Sequence, residues 1–199
     1  MRPIPPAWAI PIEDDLAPTE LDDAELVPPD AELTDRVTLP AAGGVPDEVA
    51  VTYVIGDDPF AAEHGFAIWQ RFADAPSWSV VFAYVDAPDE GVLGISVQTG
   101  DLTGDGHDDV LTFEGTGGSG ACGRWRVIAA SAEATDRLLQ RRTCDTEILI
   151  ADGTLEMREA VYGPEDPHCC PSAFRFTTLE WGGEQFLETA VREEPTAGE

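Results

Sequence analysis

The sequence predicts a mainly β fold: a single antiparallel β domain arranged as a sandwich, a barrel or a partial propeller, with at most one short helix. From residue 47 onward, short segments rich in β-branched and aromatic residues follow one another, and clusters of Gly, Pro and Asp bound most of them. Several segments alternate apolar and polar residues, as strands of a half-buried sheet do, and the alternation of Arg and Trp in RWRVI predicts one buried and one solvated face. Strands separated only by turns are typical of antiparallel architectures, so we expect the β domain to span residues 47–192.

Ten segments carry the strand pattern, and one further segment has helical character. The stretch SAEATDRLLQRR, residues 131–142, predicts a helix of about three turns with Ser131 as its N-cap, although the same residues could form a turn and a strand. The predicted strands are residues 48–55, 65–72, 78–85, 91–98, 109–113, 123–131, 146–150, 154–162, 173–181 and 184–189.

The two ends of the chain have a different composition. Residues 1–50 contain 9 of the 16 prolines, with 12 acidic residues against two arginines, and their apolar residues are scattered singly. Such a segment cannot bury enough surface to offset its ordering entropy. We therefore expect residues 1–46 to be a disordered, acidic, Pro-rich tail or linker and residues 193–199 to be a disordered C-terminal tail.

The charge balance restricts the partners of this protein. The formal net charge is −28, and all 11 basic residues are arginine. Repulsion from phosphate makes DNA, RNA and anionic lipid surfaces poor partners unless a cation bridges them. No run of about 18 apolar residues is present, so we expect no transmembrane segment. The acidity is interpreted either as a high-salt surface adaptation or as the ordinary acidity of a secreted protein.

The most specific motif is GDLTGDGHDDVLTF at residues 100–113, in which oxygen-bearing side chains recur at alternate positions. Hard oxygen ligands at this spacing suit Ca²⁺, which accepts a flexible number of ligands. Water would complete its coordination. The alternative is an acidic turn between two strands that binds nothing. The predicted ligands are the side chains of Asp101, Thr103, Asp105 and Asp109 and the carbonyl oxygen of His107.

These residues resemble the Asp-rich calcium loop of FG-GAP and VCBS-type repeats, which joins two strands in extracellular propellers. The resemblance covers about 14 residues and departs at Thr103, where those repeats usually have Asn or Asp. A propeller needs at least about four blades, whereas this loop occurs once. The resemblance therefore implies a local hairpin and a bound ion, and does not imply a complete propeller.

A second segment, YGPEDPHCCPS at residues 162–172, precedes an aromatic strand and the turn Trp181-Gly182-Gly183. It resembles the DPxCCPS segment of actinobacterial envelope proteins of the LppP/LprE lipoprotein type. The similarity extends over residues 95–190 if GSGACGRWRVI is included. The resemblance implies an envelope location and no particular activity. The chain has no lipobox cysteine, because its first cysteine is Cys122.

Four cysteines, Cys122, Cys144, Cys169 and Cys170, predict disulfides in an exported protein. Adjacent cysteines rarely bond to each other, so we expect Cys169 and Cys170 each to pair with Cys122 or Cys144, in either order. No C-x-x-C is present, and the spacing is poor for zinc. The alternative is a redox switch at Cys169 and Cys170.

No catalytic residue is predicted. The three histidines, His64, His107 and His168, lie in separate predicted loops, where we expect solvent exposure or a role in a turn. The favoured function is a non-catalytic, extracytoplasmic, calcium-bound and disulfide-stapled β module that binds a protein or a cell-envelope polymer. The alternative is a secreted metal-dependent hydrolase whose ion lies in the same Asp101–Asp109 loop.

Overall fold

A computed structural model describes residues 6–58, 60–72, 77–118, 120–130 and 135–196. Within these residues the chain forms twelve strands, and helix is confined to the 3₁₀ turns Pro18–Glu20, Asp23–Glu25 and Pro88–Glu90. The strands form three four-stranded antiparallel sheets. The predicted mainly β class is confirmed. No described helix has the length and apolar character needed to cross a membrane.

Each sheet is a meander in which every strand pairs with the next strand along the chain. Sheet 1 consists of β1 (Ala31–Leu39), β2 (Glu48–Ile55), β3 (Glu63–Phe72) and β4 (Ser77–Asp86); sheet 2 of β5 (Gly94–Gly100), β6 (Asp109–Gly115), β7 (Gly123–Ala130) and β8 (Thr135–Thr143); sheet 3 of β9 (Thr146–Ala151), β10 (Thr154–Val161), β11 (Ala173–Trp181) and β12 (Phe186–Pro195).

The three sheets pack in chain order, with sheet 2 in the middle. One apolar cluster joins sheets 1 and 2 through residues such as Phe66 and Ile128, and another joins sheets 2 and 3 through residues such as Val127 and Met157. The first strands of neighbouring sheets, β1 with β5 and β5 with β9, lie beside each other. A four-stranded meander is the unit of a propeller blade, so the fold corresponds to the partial-propeller alternative.

Sheet 2 is covered on both faces, and this explains its composition. Neighbouring residues of β7 point to opposite faces, so Val127 packs toward sheet 3 and Ile128 toward sheet 1. Every residue of β7 is buried. The alternation of Arg and Trp in RWRVI suggests one solvated face, and this expectation is wrong because both faces of the strand meet another sheet.

The predicted disorder of residues 1–46 is wrong for residues 6–46. Residues 31–39 form β1, which is hydrogen-bonded to β2, and residues 6–30 cover the outer face of sheet 1. The indole N–H of Trp69 donates to the Leu26 carbonyl at 2.9 Å, and that of Trp78 donates to the Leu16 carbonyl at 3.1 Å. The singly scattered apolar residues therefore meet a ready-made apolar surface, which offsets their ordering entropy. Residues 1–5 lie outside the described residues.

Two further expectations differ from the structure. Residues 135–143 form strand β8, so the predicted helix is wrong for residues 135–142, and residues 131–134, with the proposed N-cap Ser131, lie outside the described residues. Pairing with β7 provides backbone partners that an isolated short helix would lack. At the C-terminus, β12 extends to Pro195, and Thr196 hydrogen-bonds to the Ser172 carbonyl, so the predicted tail is wrong for residues 193–196. Residues 197–199 are outside the described range.

Candidate functional site

The Asp-rich loop connects β5 to β6 as the predicted hairpin, and its own carboxylates shape it. The Asp101 side chain accepts hydrogen bonds from the amides of Gly104 at 2.7 Å and Gly106 at 3.0 Å. Asp105 accepts one from the His107 amide at 2.9 Å. Gly104 and Gly106 have φ of +75° and +87°, in the left-handed region that favours glycine. Backbone amides therefore occupy part of the acceptor capacity of the predicted calcium ligands.

Asp109 is the buried carboxylate of the loop, with a relative exposure of 1%. Its Oδ2 accepts hydrogen bonds from the amides of Leu102 and Thr103, both at 2.8 Å. The Thr103 side chain lies near this carboxylate, but neither Thr103 Oγ1 nor Asp109 Oδ1 has a partner with hydrogen-bond geometry. Burial raises the pKa of Asp109 to about 6. One carboxylate oxygen is thus buried with its acceptor sites unused.

His107 is also buried, at 1% exposure, and both of its ring nitrogens lack a hydrogen-bond partner. The expectation of a solvent-exposed or turn-satisfying side chain is wrong for this histidine. The turn between β1 and β2 lies against the loop, because a Cβ on Gly43 would be 2.5 Å from the Asp105 carbonyl oxygen. The turn covers one side of the loop, while Gly104, Asp105 and Gly106 remain exposed. Buried polar groups without a partner, such as the two ring nitrogens of His107, cost free energy.

Glu48 is a fully buried acid at the start of β2, and it is not among the predicted site residues because no sequence motif marks it. Its carboxylate accepts a hydrogen bond from Gln70 Nε2 at 2.9 Å, and its relative exposure is 1%. Burial raises the pKa of Glu48 to about 7, and the charge of Asp109 contributes in the same direction. Only the tertiary fold brings these two acids near each other, since they lie in different sheets.

The structure does not gather the predicted ligands around one point. Among the described residues, no three His, Cys, Asp or Glu side chains are grouped so that they could hold a metal ion. Binding of Ca²⁺ therefore requires at least one carboxylate to be repositioned. Among the predicted ligands, Asp105 has the freedom to do so, because it is exposed and only its Oδ1 is engaged by a backbone amide.

A second polar site lies between sheets 1 and 2, where four buried charges neutralise one another. Arg124 Nη1 lies 2.8 Å from Asp86 Oδ1 and 3.2 Å from Glu114 Oε2. Arg126 pairs with Glu114 and lies 3.5 Å from Asp86, and its guanidinium stacks 3.9 Å from the ring centre of Tyr84. Two arginines thus balance two carboxylates that would be costly to bury alone.

A pocket of about 320 Å³ opens beside this cluster. Glu90 closes one side of it, because its carboxylate pairs with Arg124 and lies 3.5 Å from Arg142. The hydrogen bond from Arg124 is the main reason that the pKa of Glu90 is lowered. The disulfide-bonded pair Cys122 and Cys144 forms part of the lining. The pocket therefore combines fixed walls with a carboxylate-binding pair of guanidinium groups.

The cysteines pair differently from the expectation. Cys122 is bonded to Cys144, whereas Cys169 and Cys170 are exposed thiols. The predicted pairing of Cys169 and Cys170 with those two residues is wrong. Cys122 precedes β7 and Cys144 follows β8, and the pairing of these strands brings them together. This bond closes a loop of modest length and stabilises the fold by roughly 3 kcal/mol.

The three histidines do not form a joint site in the described structure. His64 is buried in β3 at 9% exposure, and burial lowers its pKa. His168 is largely exposed and lies 3.2 Å from the Asp145 carboxylate.

Comparisons of the chain with protein-family models, with curated proteins and with solved structures each found no match.

Proposed function

We propose that this chain is a non-catalytic, extracytoplasmic binding module whose ligand, a protein or a cell-envelope polymer, contacts the pocket beside Arg124. The pairing of the pocket acids with arginines carries the proposal. Glu90 and Glu114, the acids lining the pocket, both contact Arg124. General acid–base catalysis needs a group that is free to exchange a proton, and these contacts favour binding over such chemistry.

The contacts of Glu90 indicate which chemical group the pocket accepts. A carboxylate there pairs with Arg124 and faces Arg142, and Arg142 is 71% exposed at its side chain. A carboxylate of the ligand can take the same place if the Pro88–Glu90 turn moves aside. Guanidinium groups recognise carboxylates through paired hydrogen bonds. The proposed ligand therefore presents a carboxylate, which fits an acidic envelope polymer or a protein.

We further propose that the Asp-rich loop binds Ca²⁺ in a structural role, as its resemblance to FG-GAP loops implies. The unused Oδ1 of Asp109, the Thr103 hydroxyl and the second oxygen of Asp105 support this assignment, since they are hard oxygen donors. When bound, the ion would neutralise charge at a loop that carries four carboxylates, those of Asp101, Asp105, Asp108 and Asp109. Asp101 would hold the turn around it through the amides of Gly104 and Gly106.

The extracytoplasmic location is supported by the Cys122–Cys144 disulfide and by the LppP/LprE-type segment at residues 162–172. Disulfides persist in oxidising compartments and are rare in the cytosol. Differential alkylation of protein taken directly from its source cells tests the location. Protection of Cys122 and Cys144 is expected, and full alkylation of both in unreduced material would contradict it.

Thermal melting with Ca²⁺ and with a chelator tests the ion site. We expect Ca²⁺ to raise the Tm of the wild type and of Asp108→Ala, but not that of Asp105→Ala, which has no side-chain oxygen left to bind the ion. Asp108 is an exposed neighbour in the same loop, so its variant carries the same charge change. Equal responses in the two variants, or no response in the wild type, would show that the loop does not bind Ca²⁺.

Titration with oligogalacturonate, a carboxylated oligosaccharide, tests the pocket separately. At 0.15 M salt the Debye length is about 8 Å, so the repulsion from distant acids is screened and the local contacts decide affinity. We expect Arg142→Gln to weaken binding and Glu90→Gln to tighten it by freeing the arginines. Arg137→Gln, an exposed arginine on the same strand β8, is the matched control. If Arg142→Gln and Arg137→Gln change the affinity equally, the oligosaccharide does not bind in this pocket.

A further inference from the structure

The loop between β10 and β11 is fixed by hydrogen bonds at both of its ends. The Asp166 carboxylate accepts from the amide of Gly163 at 2.6 Å, from the amide of Ser172 at 2.9 Å, and also from the Ser172 hydroxyl. The Thr196 hydroxyl donates to the Pro171 carbonyl at 2.7 Å. One aspartate therefore connects the start of the loop to its end, and Thr196, the residue after β12, is hydrogen-bonded to that end.

The middle of this loop is held by His168. The Tyr162 hydroxyl donates to the His168 carbonyl at 2.8 Å, and the two rings stack with centres 5.4 Å apart. On its other side, His168 Nε2 lies 3.2 Å from Asp145, the residue that follows the disulfide-bonded Cys144. The residues on either side of the adjacent cysteines are thus positioned before any reaction takes place.

The backbone turns at the two cysteines so that their side chains meet. The Cys170 amide donates to the Pro167 carbonyl at 2.9 Å and closes a turn over residues 167–170. In an extended segment, consecutive side chains point to opposite sides. Here the sulfur atoms of Cys169 and Cys170 lie 2.7 Å apart, and both residues are exposed. The pair is accessible to a reagent, and each thiol is within reach of the other.

We propose that Cys169 and Cys170 form a thiol–disulfide exchange site that small disulfide compounds oxidise to a vicinal disulfide. The structural bond Cys122–Cys144 is made without them, so their chemistry is available for exchange. This site is separate from the pocket and from the Asp-rich loop, and its test stands apart from the proposed function.

The reaction balances in two steps. The thiolate of one cysteine attacks a sulfur of a compound R–S–S–R, forms a mixed disulfide and releases one R–S⁻. The thiolate of the other cysteine then attacks the protein sulfur of the mixed disulfide, forms the Cys169–Cys170 bond and releases the second R–S⁻. The two thiol protons pass through solvent to the released thiolates. The protein loses two electrons, and the small disulfide gains them.

Two features make the exchange reversible and slow at neutral pH. Cα atoms of bonded cysteines are usually about 4.4–6.8 Å apart, farther than the roughly 3.8 Å between consecutive residues, so a vicinal bond is strained. Strained and exposed disulfides are the readily reduced ones. The hydrogen bond with Cys169 raises the pKa of the Cys170 thiol, and the charge of Asp166 acts in the same direction. The rate of oxidation is therefore expected to rise with pH.

Incubation of the full chain with oxidised glutathione, followed by alkylation and peptide mapping by mass spectrometry, tests the proposal. In the wild type we expect a peptide with an internal Cys169–Cys170 disulfide and little glutathione adduct. In Cys169→Ser and Cys170→Ser the remaining cysteine forms a mixed disulfide with glutathione. No second thiol is present to displace the glutathione, so this adduct accumulates. Because the second thiol lies beside the mixed disulfide in the wild type and can displace its glutathione, we expect the variants to hold more adduct than the wild type by a factor of roughly two or more.

The Cys122→Ser/Cys144→Ser double variant is the control for disulfide reshuffling, and it is expected to form the same vicinal bond. If that variant does not fold, mapping of the wild type answers the same question, since bonds from Cys169 or Cys170 to the other cysteines would overturn the proposal. Wild-type protein that accumulates as much adduct as the single variants, or whose two thiols remain alkylatable, would also overturn it.

Discussion

The two outer faces of the three-sheet stack differ in how their aromatic residues are covered. The outer face of sheet 1 presents Trp69 and Trp78, and residues 6–30 cover both indoles completely. The outer face of sheet 3 presents Phe174 and Phe176, and no described segment of the chain covers it. Arg158 and Arg192 instead stack over these rings, with their guanidinium carbons 3.7 Å and 4.2 Å from the ring centres.

The contrast shows two ways to end a stack of sheets. Large indoles with buried N–H groups need a cover that also offers hydrogen-bond acceptors, and the carbonyls of Leu16 and Leu26 supply them. Half-buried phenyl rings need only partial shielding, which the aliphatic stems and planar heads of arginines can give. The first end is closed by tertiary packing, and the second end remains in contact with solvent.

The most disruptive test of this contrast is Leu26→Ala. Leu26 is completely buried in the segment that covers sheet 1, so its truncation should leave a cavity and cost about 2–5 kcal/mol. Denaturant unfolding followed by tryptophan fluorescence measures this cost and reports on the released indoles. Ile10→Ala, in the same segment but 75% exposed, is the control and should cost less than about 0.5 kcal/mol. If Leu26→Ala lowers the free energy of unfolding no more than Ile10→Ala does, residues 6–30 do not pack tightly against sheet 1.

The next effect concerns Glu48, on the side of sheet 1 that faces sheet 2. Its pKa is raised from 4.5 to about 7, chiefly by burial, so the folded state favours the protonated form. The resulting stabilisation is fully present below about pH 4.5 and is lost as the pH rises through about 7. Glu48→Gln avoids this loss and retains an oxygen that can accept from Gln70. We expect the variant to exceed the wild type above pH 7 by up to about 3 kcal/mol, and to lose this advantage at low pH.

Urea unfolding of both proteins between pH 4 and pH 8 measures this difference. Asp109 titrates over an overlapping range and its charge helps to raise the pKa of Glu48, so the difference between the two proteins reports Glu48 together with its coupling to Asp109. Glu184→Gln, at an exposed position, reports the general effect of removing one negative charge from this acidic chain. The same pH profile for the Glu48 and Glu184 variants would show that Glu48 is not buried as a carboxylic acid.

The smallest effect is expected at the solvent-exposed end of the stack. Arg192→Ala removes the guanidinium over Phe176 and its ion pairs with Glu156 and Glu194, and we expect only a small loss of stability because these contacts are exposed to solvent. Arg137→Ala, at an exposed arginine with no aromatic partner among the described residues, should have almost no effect. Denaturant unfolding measures both. A loss as large as that of Leu26→Ala would show that the two ends are closed to a similar extent.

The sequence predicted the strands that carry dense β-branched and aromatic residues, and it failed where the signal was weak. β2 and β11 are found at their predicted positions because alternation and flanking turn residues mark them. β1, with the polar sequence AELTDRVTL, has no such pattern and becomes a strand because it pairs with β2. β8 contains good helix formers, yet the edge of β7 provides the partners that decide its conformation.

The candidate sites divide in the same way. The Asp-rich hairpin could be predicted because its residues are close in sequence, and its glycines and carboxylates contact their near neighbours in the chain. The buried charge cluster between sheets 1 and 2 could not be predicted, since its members lie on three strands of two sheets. They are Asp86, Glu114, Arg124 and Arg126. Alternation in RWRVI suggested a solvated face, and no pattern within one strand can report that both of its faces are covered.

By itself, the sequence determined the β class, the turn positions and the hairpin around residues 101–109, because these depend on contacts between residues that are near in the chain. The tertiary structure decided which carboxylates are buried, which cysteines are bonded and how an acidic, Pro-rich segment becomes ordered. These outcomes depend on what lies opposite each residue. Two cysteines bond when strand pairing brings them together, and an isolated leucine is buried only where another part of the chain offers it a surface.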